Sequence, residues 1–284
     1  MKTDYDVIII GGGTAGVIAA VQAGRAGVQT LLVEKDEILG GTLTKAGISC
    51  PGPFYAWRKP AIAGIGYELV TKCAAESDIP LPDYSTQEPC PQGRWAVHVN
   101  PHVYAPICDQ AVNDAGVDVL FDAMCARIEE TNNTKKVTLC LKEGLRDFTC
   151  KVLIDATGDA NAVSLAGYDV IREKDVQPAT YTAKLDGVPK LSDEELSALR
   201  ADYENAVRQG LLRYTDSGWN SHGMDTRFLS TRGHNGNHIF LSGIDASTSA
   251  GISAYALEGR AAILRLLRFY KKYDFFKDLK LTWL

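Results

Sequence analysis

The chain has 284 residues, a length that fits one large domain or two small ones. It carries 30 Lys and Arg against 35 Asp and Glu, a formal charge of -5, and this mild acidity argues against a surface built to hold nucleic acid. Hydrophobic residues make up 45% and charged residues 23%, which allows a sizeable core and excludes a disordered or low-complexity chain.

Seven cysteines lie singly along the chain, and no two of them have C-x-x-C spacing. An odd number of scattered cysteines argues against a disulfide framework and against a structural zinc site. We therefore expect reduced, mostly buried thiols, no metal site and a cytoplasmic location. No window approaches the ~20 uncharged residues of a membrane span, and the early apolar run is too short for a signal peptide, so we expect neither.

The N-terminal segment has the order strand, glycine-rich turn, helix, strand. Residues 5–10 form an apolar run rich in β-branched side chains, which is typical of a strand buried in a parallel sheet. The pattern G-x-G-x-x-G follows at Gly11, Gly13 and Gly16, and small apolar residues at helical density come next. Gly27 is placed as the C-terminal cap of that helix. A second apolar run then ends at an acid, Glu34.

Each part of this segment has a function in binding a dinucleotide. Gly11 allows the tight turn, Gly13 lets the backbone approach a diphosphate, and Gly16 lets the helix pack closely on the strand. The helix N-terminus offers unpaired N–H groups to the phosphates. Glu34 can accept hydrogen bonds from both hydroxyls of an adenosine ribose, and it disfavours the 2′-phosphate of NADP despite the adjacent Lys35. The alternative is a glycine-rich turn without a ligand.

The sequence from Glu34 to Thr42 reads E-K-x-x-x-x-G-G-T. This stretch resembles the glutathione-reductase-type, two-dinucleotide-binding flavoproteins, in which the Gly-Gly-Thr loop passes beside FAD. Residues 109–120, 151–160 and 243–260 resemble the branch with a fumarate-reductase-like layout. The resemblance implies that the cofactor is FAD.

The implied fold is α/β. A Rossmann-like FAD-binding domain with a parallel sheet is expected over residues 1–170, in non-contiguous pieces, with a β-meander near 124–150. A small β-rich substrate domain is expected over residues 171–247. Residues 248–284 are expected to form a long helix that returns toward the FAD-binding domain.

The chain departs from its relatives in three ways. Leu43 and Ile48 stand where disulfide reductases have two redox cysteines, and the remaining Cys50 has no partner nearby, so dithiol chemistry is disfavoured. The turn A-T-G-D at residues 156–159 replaces the Gly-x-Asp-Gly stretch of aromatic hydroxylases. Relatives also continue well beyond Arg260, so the chain resembles the N-terminal part of a longer architecture. A second polypeptide or a homo-oligomer could cover the flavin, the site could be open, or the chain could be a degenerate fragment.

The candidate site residues follow from the motif and from the resemblance. The expected cofactor-binding residues are Gly11, Gly13, Thr14, Ala15, Gly16, Glu34, Lys35, Gly41, Thr42, Ala156, Thr157, Gly158 and Asp159. Asp159 could instead cap the helix that follows it. His98 and His102, which flank Asn100-Pro101, could act as a general acid or base, although surface or capping roles are the simpler interpretation. Arg232, close to His234 and His238, could bind an anionic substrate or form an exposed hairpin tip.

The resulting hypothesis is an FAD-dependent oxidoreductase that transfers a hydride between the flavin and a small organic substrate. One alternative is a truncated or non-catalytic subunit that binds FAD or its ADP half. Another is an NAD-dependent dehydrogenase, against which the Gly-Gly-Thr loop and the A-T-G-D turn argue. No nucleic acid or membrane partner is expected.

Overall fold

The computed structural model of the protein describes residues 2–56, 59–83, 96–131, 133–173, 177–217 and 236–283. They form two compact units, which divide between Arg172 and Glu173. Each unit has its own principal sheet and its own hydrophobic core.

The first unit is an α/β structure. Its helices are α1 (Thr14–Arg25), α2 (Ile65–Glu76), α3 (Pro101–Asp114) and α4 (Asn161–Leu165). Its strands are β1 (Asp4–Ile10), β2 (Thr30–Val33), β3 (Gly52–Pro53), β4 (Tyr55–Ala56), β5 (Lys59–Pro60), β6 (Ala96–Val97), β7 (Asp118–Leu120), β8 (Met124–Thr131), β9 (Thr134–Leu141) and β10 (Gly144–Asp155).

A six-stranded sheet with the order β7-β2-β1-β10-β9-β8 forms the centre of this unit. Strands β7, β2, β1 and β10 are parallel, whereas β8, β9 and β10 form an antiparallel meander. The predicted α/β fold with a parallel sheet is therefore confirmed. Strand β10 belongs to both parts of the sheet, because its first part pairs with β9 and its last part pairs with β1.

Both faces of the parallel part of the sheet are covered. Ile9 and Leu32 are completely buried in the cluster that includes side chains of α1, α2 and α3. Ile8 and Leu31 are completely buried on the opposite face, with side chains of the meander. This double burial explains why β1 and β2 are continuous apolar runs without alternation.

The described residues of the second unit form a three-stranded sheet and two long helices. Its elements are β11 (Ala179–Asp186), α5 (Asp193–Arg208), β12 (Gly236–Leu241), α6 (Ser249–Tyr270) and β13 (Lys280–Trp283), and its sheet has the order β12-β11-β13. Ser192 and Glu195 form a reciprocal capping box at the start of α5, and Thr248 caps α6 by accepting a hydrogen bond from the Gly251 N–H. Both helices contribute side chains to one core.

The C-terminal part of the chain differs from the expected arrangement. Helix α6 ends at Tyr270, close to the expected end near Tyr273, but the chain then forms β13, which pairs antiparallel with β11. Ala262 and Leu266 of α6 are buried in the core of the second unit, so the helix belongs to that unit. The strand was missed because four residues of alternating burial carry little local signal until a partner strand is in place. Among the described residues, no helix combines the length and the apolar character needed to cross a lipid bilayer.

Candidate dinucleotide site

Two glycines of the G-x-G-x-x-G pattern are required by the packing of the fold itself. Gly11 follows β1 with a φ of +104°, and its N–H donates to the Val33 carbonyl at 2.8 Å. A Cβ atom at Gly11 would overlap the Ala156 carbonyl, and one at Gly16 would overlap the Gly11 carbonyl oxygen. These positions therefore hold glycine because strand, turn and helix are in backbone contact there.

Gly13 is different. It is the N-cap residue of α1 with ordinary extended angles (φ -69°, ψ -172°), so its backbone does not need glycine. A Cβ atom at Gly13 would have only the Gly41 Cα within reach, at 4.0 Å. The space in front of Gly13 is thus left open by the protein, at the end of α1 where unpaired N–H groups and the positive end of the helix dipole attract anions.

Glu34 lies immediately behind this turn and is 7% exposed. Its Oε2 accepts a hydrogen bond from the Gly12 N–H at 2.6 Å, and its Oε1 accepts one from the Asp36 N–H at 2.9 Å. The carboxylate therefore faces the glycine-rich turn. Each carboxylate oxygen can accept a further hydrogen bond, which leaves acceptor capacity for two hydroxyl groups. The neighbouring Lys35 is exposed.

The Gly-Gly-Thr loop lies directly against the glycine-rich turn. The Gly40 N–H donates to the Gly12 carbonyl at 2.9 Å, and Gly40 forms a parallel bridge with Gly13. A Cβ atom at Gly41, whose φ is +55°, would lie 2.8 Å from the Gly13 Cα. Thr42 is exposed. The loop thus forms one wall of a groove whose floor is Gly13, and we name this groove, lined by residues 11–16, 34, 40–42 and 156–159, the dinucleotide groove.

Residues 156–159 lie beside the start of the glycine-rich turn. The Ala156 N–H donates to the Ile10 carbonyl at 2.8 Å, which places the A-T-G-D turn beside Gly11. Gly158 has a φ of +87° with no atom near its Cβ position, and Asp159 is exposed. The structure therefore brings together all four sequence stretches that were predicted to bind the cofactor.

The alternative role of Asp159 as a helix cap is wrong. The N-cap residue of α4 is Ala160, which has left-handed angles and makes no side-chain cap. The acceptor is instead Asp155, whose Oδ2 accepts from the Val163 N–H at 2.9 Å. Sequence reasoning missed Asp155, although an acid directly before A-T-G at the end of a strand was a usable signal.

The two histidines occupy different environments. His98 is half-buried directly after β6, and the adjacent Val99 N–H donates to the Ser49 carbonyl at 2.8 Å, so His98 lies near the segment that continues from the Gly-Gly-Thr loop. His102 is exposed in the first turn of α3, where its backbone N–H donates to the Asn100 side chain. Arg232 and His234 lie outside the described residues, as does the side chain of His238.

The described thiols are free, and burial holds several of them in the protonated form. Burial raises the pKa of Cys108 to about 12 and that of Cys125 and Cys150 to about 11. Cys50, the thiol that follows the Gly-Gly-Thr loop in sequence, is half-buried. Within the part of the chain that the structure describes, no cluster of three or more His, Cys, Asp or Glu side chains is arranged to hold a metal ion.

A crevice of about 840 Å³ lies between α1, from Ala15 onward, and residues 62–68. Its lining is mostly apolar and includes Ile18, Ile62 and Ile65. Arg25 and Glu68, which pair at 2.9 Å, also line it. This lining suits an organic group without charge better than an anion.

A family model for FAD dependent oxidoreductases matches residues 6–283. Among curated proteins, the dihydrolipoyl dehydrogenase of Bacillus subtilis (strain 168) is 51% identical over 47 residues, which cover 16% of this chain and 10% of that protein. The dihydrolipoamide dehydrogenase of Chaetomium thermophilum is 46% identical over 46 residues, which cover 16% of this chain and 9% of that protein. The chain thus spans about a tenth of the length of the curated relatives it matches.

Solved structures with less than 20% sequence identity also match part of the chain. An aromatic hydroxylase from angucycline biosynthesis, CabE, is 17% identical with a TM-score of 0.42, over 64% of this chain and 35% of that one. A geranylgeranyl bacteriochlorophyll reductase-like protein from Thermoplasma acidophilum is 19% identical with a TM-score of 0.45. The match covers 67% of this chain and 49% of that one.

Proposed function

The chain belongs to the FAD-dependent oxidoreductase family, and on that premise we propose that the dinucleotide groove holds FAD for hydride transfer between the flavin and a small organic substrate. FAD is the cofactor that the family uses. The observation that carries the assignment to this groove is the open space in front of Gly13. The fold has no packing reason for glycine there, whereas a bound diphosphate does.

The residues of the groove fit the parts of the cofactor. The first turn of α1, with Thr14 and Ala15, presents backbone N–H groups to the diphosphate. Glu34, with its spare acceptor capacity, accepts hydrogen bonds from the adenosine ribose. The Gly41-Thr42 loop and the turn at residues 156–159 form the two walls. The flavin supplies the redox chemistry when bound, and the protein binds and orients it.

The finer assignment, a glutathione-reductase-type flavoprotein of the fumarate-reductase-like branch, is part of the same proposal. It is supported by the Gly-Gly-Thr loop against Gly13 and by the A-T-G-D turn beside Gly11. A second polypeptide or a second copy that covers the flavin is also part of it.

The test is FAD binding by the Gly13→Val variant. We expect the dissociation constant for FAD to rise at least about tenfold, because the valine side chain fills the space that the diphosphate needs. The melting temperature of the FAD-free protein should hardly change, since a Cβ atom at Gly13 has no protein atom nearer than the Gly41 Cα at 4.0 Å. Binding is measured by equilibrium titration of flavin fluorescence, and stability by thermal unfolding.

Gly16→Ala is the matched control. Its Cβ would overlap the Gly11 carbonyl oxygen, so this variant should lower the melting temperature of the FAD-free protein. A Gly13→Val protein that binds FAD as tightly as the wild type would show that the cofactor is held elsewhere.

A further inference from the structure

We propose that Asp155 is a positioning residue that fixes the Ala156-Thr157-Gly158 turn as a wall of the dinucleotide groove. The inference rests on the function proposed above and extends it to a residue that does not itself line the groove. Asp155 is the last residue of β10 and is half-buried.

Three hydrogen bonds converge on the Asp155 carboxylate. Oδ1 accepts from the Thr157 N–H at 2.8 Å and from the Thr157 hydroxyl at 2.7 Å. Oδ2 accepts from the Val163 N–H at 2.9 Å. One carboxylate therefore joins the turn on one side to helix α4 on the other. Hydrogen bonds to a carboxylate are stronger than those between neutral groups, so Asp155 holds the turn and α4 together strongly.

The Thr157 hydroxyl continues the connection. It donates to Asp155 and accepts from the Asn161 N–H at 3.0 Å. The cap residue Ala160 supplies no side-chain acceptor, so Thr157 and Asp155 together satisfy two of the N–H groups that α4 leaves unpaired. The turn is thus held between the end of β10 and the start of α4.

The Ala156-Thr157-Gly158 turn is in backbone contact with the start of the glycine-rich turn. The Ala156 N–H is bonded to the Ile10 carbonyl, and the Ala156 carbonyl is so close to Gly11 that no Cβ could be placed there. The Ala156 Cβ would also lie 3.3 Å from a Cβ at Gly16. Releasing the turn therefore alters the wall against which the glycine-rich turn is packed, and FAD affinity should fall although Asp155 lies behind the groove.

The experiment compares Asp155→Ala with Asp147→Ala. Asp147 lies on the same strand and also accepts a hydrogen bond from a threonine hydroxyl, that of Thr138 at 2.7 Å, but it belongs to the meander. At a temperature where both FAD-free proteins are folded, we expect Asp155→Ala to raise the dissociation constant for FAD about tenfold or more. Asp147→Ala should leave it within about twofold. Equal effects of the two variants, or no effect of Asp155→Ala, would overturn the inference.

A second variant decides the matter if Asp155→Ala does not fold. Asp155→Asn keeps the size of the side chain and one acceptor oxygen, but the amide nitrogen cannot replace the second acceptor, so Thr157 and the Val163 N–H cannot both stay bonded. We expect weaker FAD binding and a shifted flavin absorption spectrum for this variant. Wild-type binding by Asp155→Asn refutes the positioning role. Failure of the wild-type protein to bind FAD, or wild-type affinity of Gly13→Val, would instead refute the proposed function.

Discussion

At the scale of single residues, the groove contains side chains that serve the fold and the ligand together. Glu34 is the main example, because its two oxygens satisfy the Gly12 and Asp36 N–H groups and still have acceptor capacity. It is buried and adjacent to the floor of the groove. Its removal should therefore affect both stability and cofactor binding.

Glu34→Ala should weaken FAD binding by ~1.5–3 kcal/mol, the size of a lost hydrogen bond to a charged group. It should also destabilise the FAD-free protein, since two backbone N–H groups lose their acceptor. FAD titration and urea unfolding measure the two effects. Glu37→Ala, an exposed glutamate three residues further on, is the control. The assignment of Glu34 to the ribose is contradicted if both variants bind FAD alike.

At the scale of elements, short segments with weak local preferences are held by specific polar contacts. In the second unit, Asp216 is 1% exposed in a short 3-10 helix, and Arg265 of α6 binds both of its carboxylate oxygens, at 2.7 and 2.9 Å. Glu258 of α6 also accepts from Arg265, at 2.8 Å. Hydrogen bonding to Asp216 is the main cause that raises the pKa of Arg265 above its usual value. The ion pair thus fastens the segment before residue 218 to α6.

Arg265→Leu should destabilise the protein by roughly 3–5 kcal/mol, because the Asp216 carboxylate is left buried without its cation. Arg208→Ala is the control, since Arg208 is exposed and lies 4.0 Å from Glu204 on the surface of α5, and it should cost less than about 1 kcal/mol. Urea unfolding followed by circular dichroism gives both values. Similar small losses in the two variants would show that the buried pair contributes little.

At the scale of the whole molecule, the stability of the first unit depends on thiols that are buried in the protonated form. In the folded protein, burial raises the pKa values of Cys108 to about 12 and of Cys125 and Cys150 to about 11, from an ordinary value of 9.0. In the unfolded chain these groups ionise once the pH exceeds about 9. The unfolded state then binds fewer protons than the folded state, so stability falls as the pH rises.

We therefore expect the free energy of unfolding to be constant with respect to these thiols below pH 9.0 and to decrease from there toward their folded pKa values of about 11 to 12. Urea unfolding at a series of pH values tests this. Replacing Cys108 by alanine should flatten the decrease, whereas replacing the exposed Cys140 should not. A slope unchanged by the loss of Cys108 would mean that other groups, such as buried tyrosines, cause the decrease.

The sequence by itself determined the strand–turn–helix–strand segment, the acid at Glu34, the Gly-Gly-Thr loop and the start of α5. Each depends on local chemistry. Tight turns need glycine, strands buried on both faces are apolar runs, and helix caps are specified by residues within four positions of each other. Only the tertiary structure decided that β10 is one strand with partners on both sides, that β13 follows α6 and pairs with β11, and that Asp155, not Asp159, anchors α4. These features depend on backbone and side-chain partners that the local sequence does not specify. A local pattern does not show which strand edge will pair with a given strand, or which N–H group will bond to a given carboxylate.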